Sequence, residues 1–314
     1  MSRPASRCHG ICITEVLPAE VIRSFDAKDF DAPDLSRTGS KMASFALDEY
    51  KPLCAEDPSL GRIAVLPWDR DIFGFAVADY RPPSAAQLGR NIEGAVKAIT
   101  AWSKDHGAEL ISASVAAGDG RLMSLMGALG FRFVDYSLTV GANLQRKALP
   151  ETRLAVRRVL PDDWDDVERI AASAFNHGRY HADPRFPRAM ADLRYRRWME
   201  RALRDEDAAV RVYVIGAPRA VRGFFHVELK GGVADLRLGA VDRADETGLA
   251  GFYLYAGTMS ALKEAGVKNA KAKISAGNTA VMNIYAALGF TFSHPEAVLH
   301  WHAPGSSHLR GPES

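Results

Sequence analysis

The sequence predicts an α/β protein made of two tandem domains, each a mixed central sheet flanked by helices, with the first domain a degenerate copy. Three observations predict this: an internal repeat, a strand-and-helix order that closes twice, and a length suited to two domains. Shifting the register by 159 residues lays Ala113–Phe131 on Ala272–Phe290 without a gap, and eight of the nineteen positions are identical. A repeat of this kind implies two related structural units. The 314 residues allow two domains of about 150 residues each. The boundary falls at the polar, proline-containing stretch Ala148–Thr152, giving domains 1–150 and 151–314.

In the first half, Ile11–Val16 reads as a strand, Ala43–Tyr50 as a short helix and Arg62–Leu66 as a strand. Pro67-Trp68-Asp69 is expected to break that strand. Ala76–Tyr80 is a further strand and Pro82–Ala85 a turn. Gln87–His106 reads as one amphipathic helix, with Ile92, Val96, Ile99 and Trp102 on one side and Gly107 as its stop. Leu110–Val115 is a strand, Gly120–Leu129 a helix and Phe131–Val140 a strand. The cluster Trp68, Phe73 and Phe75 is expected in the core.

The second half starts with a strand at Leu154–Leu160 and a helix opened by Pro161-Asp162-Asp163. Proline and acids both suit a first helical turn. Residues 176–188 form a polar, proline-broken loop, and Met190–Arg204 a basic helix. Val210–Ile215, Arg222–Leu229 and Gly232–Val241 are three strands joined by links short enough for antiparallel pairing. A helix at Gly251–Ala265 follows. Then come a strand ending near Gly277, a helix capped by Asn278 or Thr279, the Leu288-Gly289-Phe290 stop, and a last strand at Ala297–His302.

Composition narrows the function. A formal charge of +2 gives no reason to expect nucleic acid or an anionic membrane as partner. No apolar run approaches the roughly 20 residues of a membrane span, and the N-terminus lacks a secretory signal. Cys8, Cys12 and Cys54 are odd in number, so a disulfide framework is not expected and a reducing, cytoplasmic location fits. Cys8, His9 and Cys12 have no second ligand pair after them, so no metal is expected.

The two repeat copies differ where chemistry would sit. Asp119 stands opposite Asn278, and Met126 opposite Tyr285. A thioether cannot donate a proton, so if Tyr285 acts in chemistry the first domain is inactive. Tyr285 itself reads either as core packing or as an acid facing a cleft. Asn278 reads either as a helix cap or as a ligand-binding amide. His226 and Glu228, two apart on a strand, point to one face. They are a solvated face or a base pair, with His181 and Asp183 as other base candidates. The cluster Arg179, Tyr180, His181 and Asp183, beside Arg185 and Arg188, is either a surface loop or a binder of a phosphorylated substrate.

The element order of 151–314 resembles that of the GCN5-related N-acetyltransferases, the GNAT family. The resemblance also rests on Gly248-Leu249-Ala250 after the third successive strand, on Asn278 and Tyr285 seven apart, and on the Gly289-Phe290 ending. It implies acetyl-CoA as cosubstrate, with its pyrophosphate on the loop and helix start at Gly248, Leu249 and Ala250 and its pantetheine arm on the edge formed by Leu238, Gly239, Ala240 and Val241. Asn278 would bind the cosubstrate and Tyr285 would protonate the leaving thiolate, with His226 or Glu228 as base. The position usually held by Arg or Gln in that loop is Asp245, followed by Glu246, two carboxylates that oppose a pyrophosphate. The segment Trp68–Gly74 resembles the N-terminal signature of the dTDP-fucosamine acetyltransferases, whose Ala-Phe and Arg-aromatic segments are similar to Ala174-Phe175 and Arg179-Tyr180-His181. That resemblance implies a nucleotide-linked amino sugar as the amine substrate, held by Arg179, Tyr180, His181 and Asp183. The alternatives are another small amine, another acyl-CoA, or a non-catalytic acyl-CoA-binding protein. A homodimer is compatible with the sequence.

Overall fold

The computed structural model describes residues 50–146, 148–243 and 249–309. Every described residue belongs to one compact unit, Ser36–Ser314. The expected strand Ile11–Val16, nearly all of the expected helix Ala43–Tyr50, and Cys8, His9 and Cys12 lie outside the described residues.

The described chain runs β1 (Lys51–Pro52), β2 (Arg62–Val65), α1 (Pro67–Phe73), β3 (Ala76–Arg81), α2 (Ala85–Leu88), α3 (Ile92–His106), β4 (Ala108–Ala116), α4 (Gly120–Ala128) and β5 (Arg132–Asn143). It continues β6 (Val156–Arg158), α5 (Trp164–Ala171), α6 (Arg179–Ala182), α7 (Arg188–Arg204), β7 (Val210–Ala217), β8 (Ala220–Lys230) and β9 (Val233–Val241). It ends α8 (Ala250–Glu264), β10 (Asn269–Ser275), α9 (Thr279–Ala287) and β11 (Thr291–His302). All the strands join one mixed sheet in the order β1-β2-β3-β4-β11-β5-β10-β9-β8-β7-β6. The pairs β3–β4 and β9–β10 are parallel and the others antiparallel.

The repeat is exact in the element bounds: α4 and α9, and β5 and β11, begin and end 159 residues apart. Asp119 accepts from Leu122 N–H at 2.9 Å and Asn278 from Val281 N–H at 3.2 Å, so the same side-chain position caps both helices. The last strands of the two copies are exchanged. β4 pairs with β11 rather than β5, and β10 pairs with β5 rather than β11. The cores follow the strands. Val140 and Ala142 of β5 pack under α8 and α9, while Leu299 and Trp301 of β11 pack under α3 and α4.

Two local expectations are corrected. Pro67 opens a helix instead of breaking a strand: it occupies the first turn of α1, where its missing N–H costs nothing, and Gly74 closes the helix at φ +78°. The expected helix over Gln87–His106 is two helices, because the side chain of Asn91 caps α3 by accepting from Gly94 N–H at 3.0 Å. Phe73 is buried as expected, whereas Val96 is 37% exposed.

Within α1, Asp69 is 2% exposed and ties the two halves together. Its carboxylate accepts from Tyr180 Oη at 2.6 Å, Arg179 at 3.0 Å and Arg194 Nε at 2.6 Å. Burial alone would raise the Asp69 carboxyl, but Arg194 and Arg179 outweigh it and hold it below its ordinary value. That contribution to stability is present above the unfolded carboxylate range and is lost as pH falls through the folded value. Asp69→Ala leaves two part-buried guanidiniums without their counter-charge and is expected to cost about 2–4 kcal/mol. Urea unfolding at neutral pH checks this, and the deficit should shrink on acidification. The exchanged strands carry a second prediction. A 151–314 fragment lacks β5 and should be recovered soluble only when co-expressed with 1–150, as read by size exclusion. A soluble monomeric fragment would show that β11 falls back beside β10 and that the exchange is optional.

Candidate functional site

The site is a gap in the sheet. β9 and β10 pair only through Val233–Asp235 and Asn269–Lys271 and then part. Beyond Asp235, β9 keeps its antiparallel partner β8 on one side, with Leu238 opposite His226 and Val241 opposite Gly223. Its other edge, along Leu238, Gly239, Ala240 and Val241, has no strand partner among the described residues. Backbone N–H and C=O groups on such an edge need partners and can take an extended ligand as an added strand. A register shift between His226 and Val227 leaves Arg237 as an extra residue on β9, at the point where the gap opens. Such bulges re-aim the side chains that follow. Leu236 accordingly packs with the α8–α9 core, and Leu238 with the α5–α7 core.

The parallel pair of the first half behaves differently. β3 and β4 stay paired from Ala76–Ala108 to Tyr80–Ala113, with one register shift after Ala76, and the pairing stops one residue short of the end of β3. Pro82 and Pro83 follow directly, and proline has no N–H to offer an anion. Met126, the counterpart of Tyr285, is fully buried in the core.

A buried polar cluster lies where the second-half gap opens. Alternation along β8 puts His226 and Glu228 on the face of Phe224, which packs with α5 and α7. His226 is fully buried, and neither ring nitrogen has a hydrogen-bond partner among the described residues. Its Nε2 stands 3.9 Å from Glu228 Oε1, which is also buried and unpartnered. Glu228 Oε2 accepts from Arg237 at 2.7 Å, and Asp235 lies 3.7 Å from the same guanidinium. Burial, together with the Arg237 charge, pushes the His226 imidazole down to about 3. Burial raises the Glu228 carboxyl above its usual range, against the pull of Arg237. His226 and Glu228 are therefore together, as their spacing implies, but as a buried pair and not a solvated face. Arg237 and Asp235 were not anticipated. Their alternation on β9 opposite Glu228 is the signal that locates them.

The opposite face carries two phenols. Tyr285, on α9, is 2% exposed and meets Tyr255 of α8 edge-on, with ring centroids 5.3 Å apart. Burial raises the Tyr285 hydroxyl well above its ordinary value, with smaller contributions from Tyr255 and Asp235. The Tyr255 hydroxyl lies only 2.8 Å from where a Cβ on Gly239 would sit, so it abuts the free edge of β9. Tyr255 lies within the expected helix Gly251–Ala265. The Asn278 side chain is a helix cap. At the far end of the gap, α8 starts at Ala250 with no side-chain cap at Leu249 and no acid in its first turn. Helix starts of this kind bind anions through their free N–H groups. Asp245, Glu246 and Gly248 lie outside the described residues. Arg243 donates to Asn176 at 2.9 Å.

In the 176–188 loop, four candidate residues have committed partners. Arg179 and Tyr180 bind Asp69. His181 Nε2 pairs with Asp192 at 2.9 Å. Asp183 is buried against His300 and His302. They share one loop, and each is held there by protein partners. Their partners lie 11 to 119 positions away, beyond the reach of local sequence patterns. Among the described residues, no helix is long and apolar enough to cross a membrane.

No protein-family model matches the sequence, and no curated protein sequence does. Solved structures do. A GCN5-related N-acetyltransferase from Sphaerobacter thermophilus is 16% identical over 80% of this chain and 79% of its own, with a TM-score of 0.59. One from Kribbella flavida is 16% identical over 83% and 91%, with a TM-score of 0.53. The glucosamine N-acetyltransferase region of a fungal multi-domain β-N-acetylglucosaminidase is 10% identical over 77% of this chain and 31% of that one, with a TM-score of 0.54. The chain therefore has the fold of the GCN5-related N-acetyltransferases.

Proposed function

We propose that the protein is an acyl-CoA-dependent N-acetyltransferase acting on a small-molecule amine, with the parted strands β9 and β10 as its active site. The observation that supports this most is the free edge Leu238–Val241, with the His226–Glu228–Arg237 cluster on one face of the sheet and Tyr285 and Tyr255 on the other. In this reading acetyl-CoA is a substrate. Its pantetheine arm adds to the free edge, and its pyrophosphate meets the uncapped start of α8 at Gly248, Leu249 and Ala250. Asn278, which caps α9, borders the same gap. Domain 1–150 is the inactive copy and 151–314 the catalytic one, completed by β5.

The chemistry follows from the two faces. The free amine attacks the thioester carbonyl carbon, the developing oxyanion takes hydrogen bonds from N–H groups on the β9 edge, and the C–S bond breaks. Glu228 receives the amine proton. It suits this role better than His226, because a base works best near the operating pH and its carboxyl is raised while the imidazole is pushed far down. Tyr285 protonates the departing thiolate from the opposite face. Its raised hydroxyl holds the proton through neutral pH. The amine comes from the α5–α7 side, bordered by the loop that carries Arg179, Tyr180, His181 and Asp183. A nucleotide-linked amino sugar is the favoured acceptor class, and the glucosamine-acetylating neighbour shows an amino sugar handled on this fold. The reading includes a cytoplasmic location and leaves room for a homodimer.

Tyr285→Phe should keep the fold and lower kcat roughly 10²-fold or more, the scale of a lost general acid. Tyr255→Phe, made in parallel, decides between the phenols: if it takes the larger loss, Tyr255 is the acid. Glu228→Gln should remove the acidic limb of the kcat/KM profile, because activity rises with pH as the carboxyl loses its proton. Acetyl-CoA titrated by calorimetry should show one site. Binding without thiol release across a panel of amino sugars and amino acids would favour the non-catalytic reading that Asp245 and Glu246 raise.

A further inference from the structure

Away from the gap, a chain of buried polar side chains runs from the 176–188 loop through β11 to β4. His300 and His302 are two apart on β11 and face the same way. Asp183 Oδ2 lies 2.8 Å from His300 Nδ1 and 2.6 Å from His302 Nε2. The three donor atoms fall within 4.8 Å of one another, and all three side chains are at most 1% exposed. Asp183 Oδ1 is held separately, accepting from Arg185 N–H at 2.9 Å. On the far side, His302 Nδ1 lies 2.7 Å from His308 Nε2, and His308 Nδ1 lies 2.9 Å from Glu109 Oε2.

The three buried donor atoms stand close enough together to share one ion. If a divalent cation takes lone pairs from His300 Nδ1, His302 Nε2 and Asp183 Oδ2, every ring is neutral. His302 Nδ1–H then donates to His308 Nε2, and His308 Nδ1–H donates to Glu109. Metal-bound imidazoles are commonly oriented by outer hydrogen bonds of this kind.

We propose that Asp183, His300 and His302 bind a first-row divalent metal ion, Zn2+ by the chemistry of two imidazoles and a carboxylate. Three protein ligands leave one tetrahedral position to water, and the burial of all three assigns the ion to tying elements together. The ion fastens the 176–188 loop to the exchanged strand β11, and through His308 and Glu109 to β4. Tetrahedral coordination at bond lengths of about 2.0–2.1 Å spaces donor atoms by about 3.3 Å, so Asp183 withdraws slightly from both histidines when the ion enters. The site was not expected from the sequence, since Asp183 lies 117 and 119 positions from its partners.

The test uses the full-length chain, purified without a histidine tag. Zn2+ content is measured directly, and Co2+ is titrated into chelator-treated protein while its visible absorption is read. One tightly held Zn2+ per chain is expected, with a Co2+ spectrum of nitrogen and oxygen ligands and no thiolate charge-transfer band. His300→Ala with His302→Ala should abolish both signals, whereas Cys8→Ser with Cys12→Ser should keep them. Zn2+ should also raise the Tm of the wild-type protein and not that of the histidine variant. Wild-type protein with no stoichiometric Zn2+ and no Co2+ band overturns the proposal. So does a thiolate band, or binding lost with the cysteines and kept without the histidines. If the histidine variant fails to fold, the wild-type metal content and spectrum still decide.

Discussion

The exchange of β5 and β11 is the constraint on which the rest of this protein depends. Each copy of the repeat supplies the last strand of the other, and the buried side chains travel with it. Val140 and Ala142 complete the core beneath α8 and α9, and Leu299 and Trp301 complete the one beneath α3 and α4. Fully burying an aliphatic or aromatic side chain is worth about 1.5–3 kcal/mol, so neither copy keeps its full core when its partner is removed. β5 and β11 also pair with each other, and that pair joins the strands of both copies into one continuous sheet. The first copy thus has a physical role in the second: it supplies β5, which pairs with β10 beside the gap in the sheet.

The two copies then diverge at their parallel strand pairs. β3 and β4 stay paired almost to the end of β3, while β9 and β10 separate after three residue pairs. The difference traces to side chains at the parting point. On β9 the extra residue Arg237 bends the strand and brings its guanidinium to Glu228 and Asp235, so the charged cluster lies where the edge is released. Gly239, two residues on, has no side chain and lets Phe225 and the Tyr255 hydroxyl close onto the strand. In the first copy Ala78 and Tyr80 of β3 are buried among Ile111 and Ala113 of β4, and apolar packing keeps that pair closed.

Much of this was legible in the sequence, for reasons that can be stated. The repeat fixed the relation between α4 and α9, and capping chemistry placed Asp119 and Asn278 at their starts. Period-two and helical patterns found most elements because those signals are local. Pro67 was misread because proline both breaks strands and starts helices, and only the later turn with Gly74 shows which applies. The strand exchange was not legible. β5 and β11 are equivalent in pattern, and either would satisfy the edge of β4 or β10. The residues of the 176–188 loop pointed to chemistry through their types alone. Their roles depend on Asp69, His300 and His302, which lie far away in the chain.

The buried charges settle where this fold invests its polar groups. Asp69, on a helix of the first half, holds Arg179 and Arg194 of the second. Asp183, in the second half, holds His300 and His302 on the strand that crosses into the first. Both carboxylates sit at seams between the copies, not in the gap. A buried ion pair adds little net stability over well-packed apolar groups but costs heavily when one partner is lost, so it suits a role in choosing one arrangement over another. An exchanged fold has a close competitor, the same chain with each last strand returned to its own copy. The apolar cores take part in the choice, because the repeat-equivalent positions Ala142 of β5 and Trp301 of β11 differ greatly in size. His300 and His302 also discriminate, since the register that pairs β11 with β4 also brings them to Asp183. With β11 beside β10 that contact would be broken and Asp183 Oδ2 left without its two imidazole partners, a cost that disfavours the unexchanged arrangement.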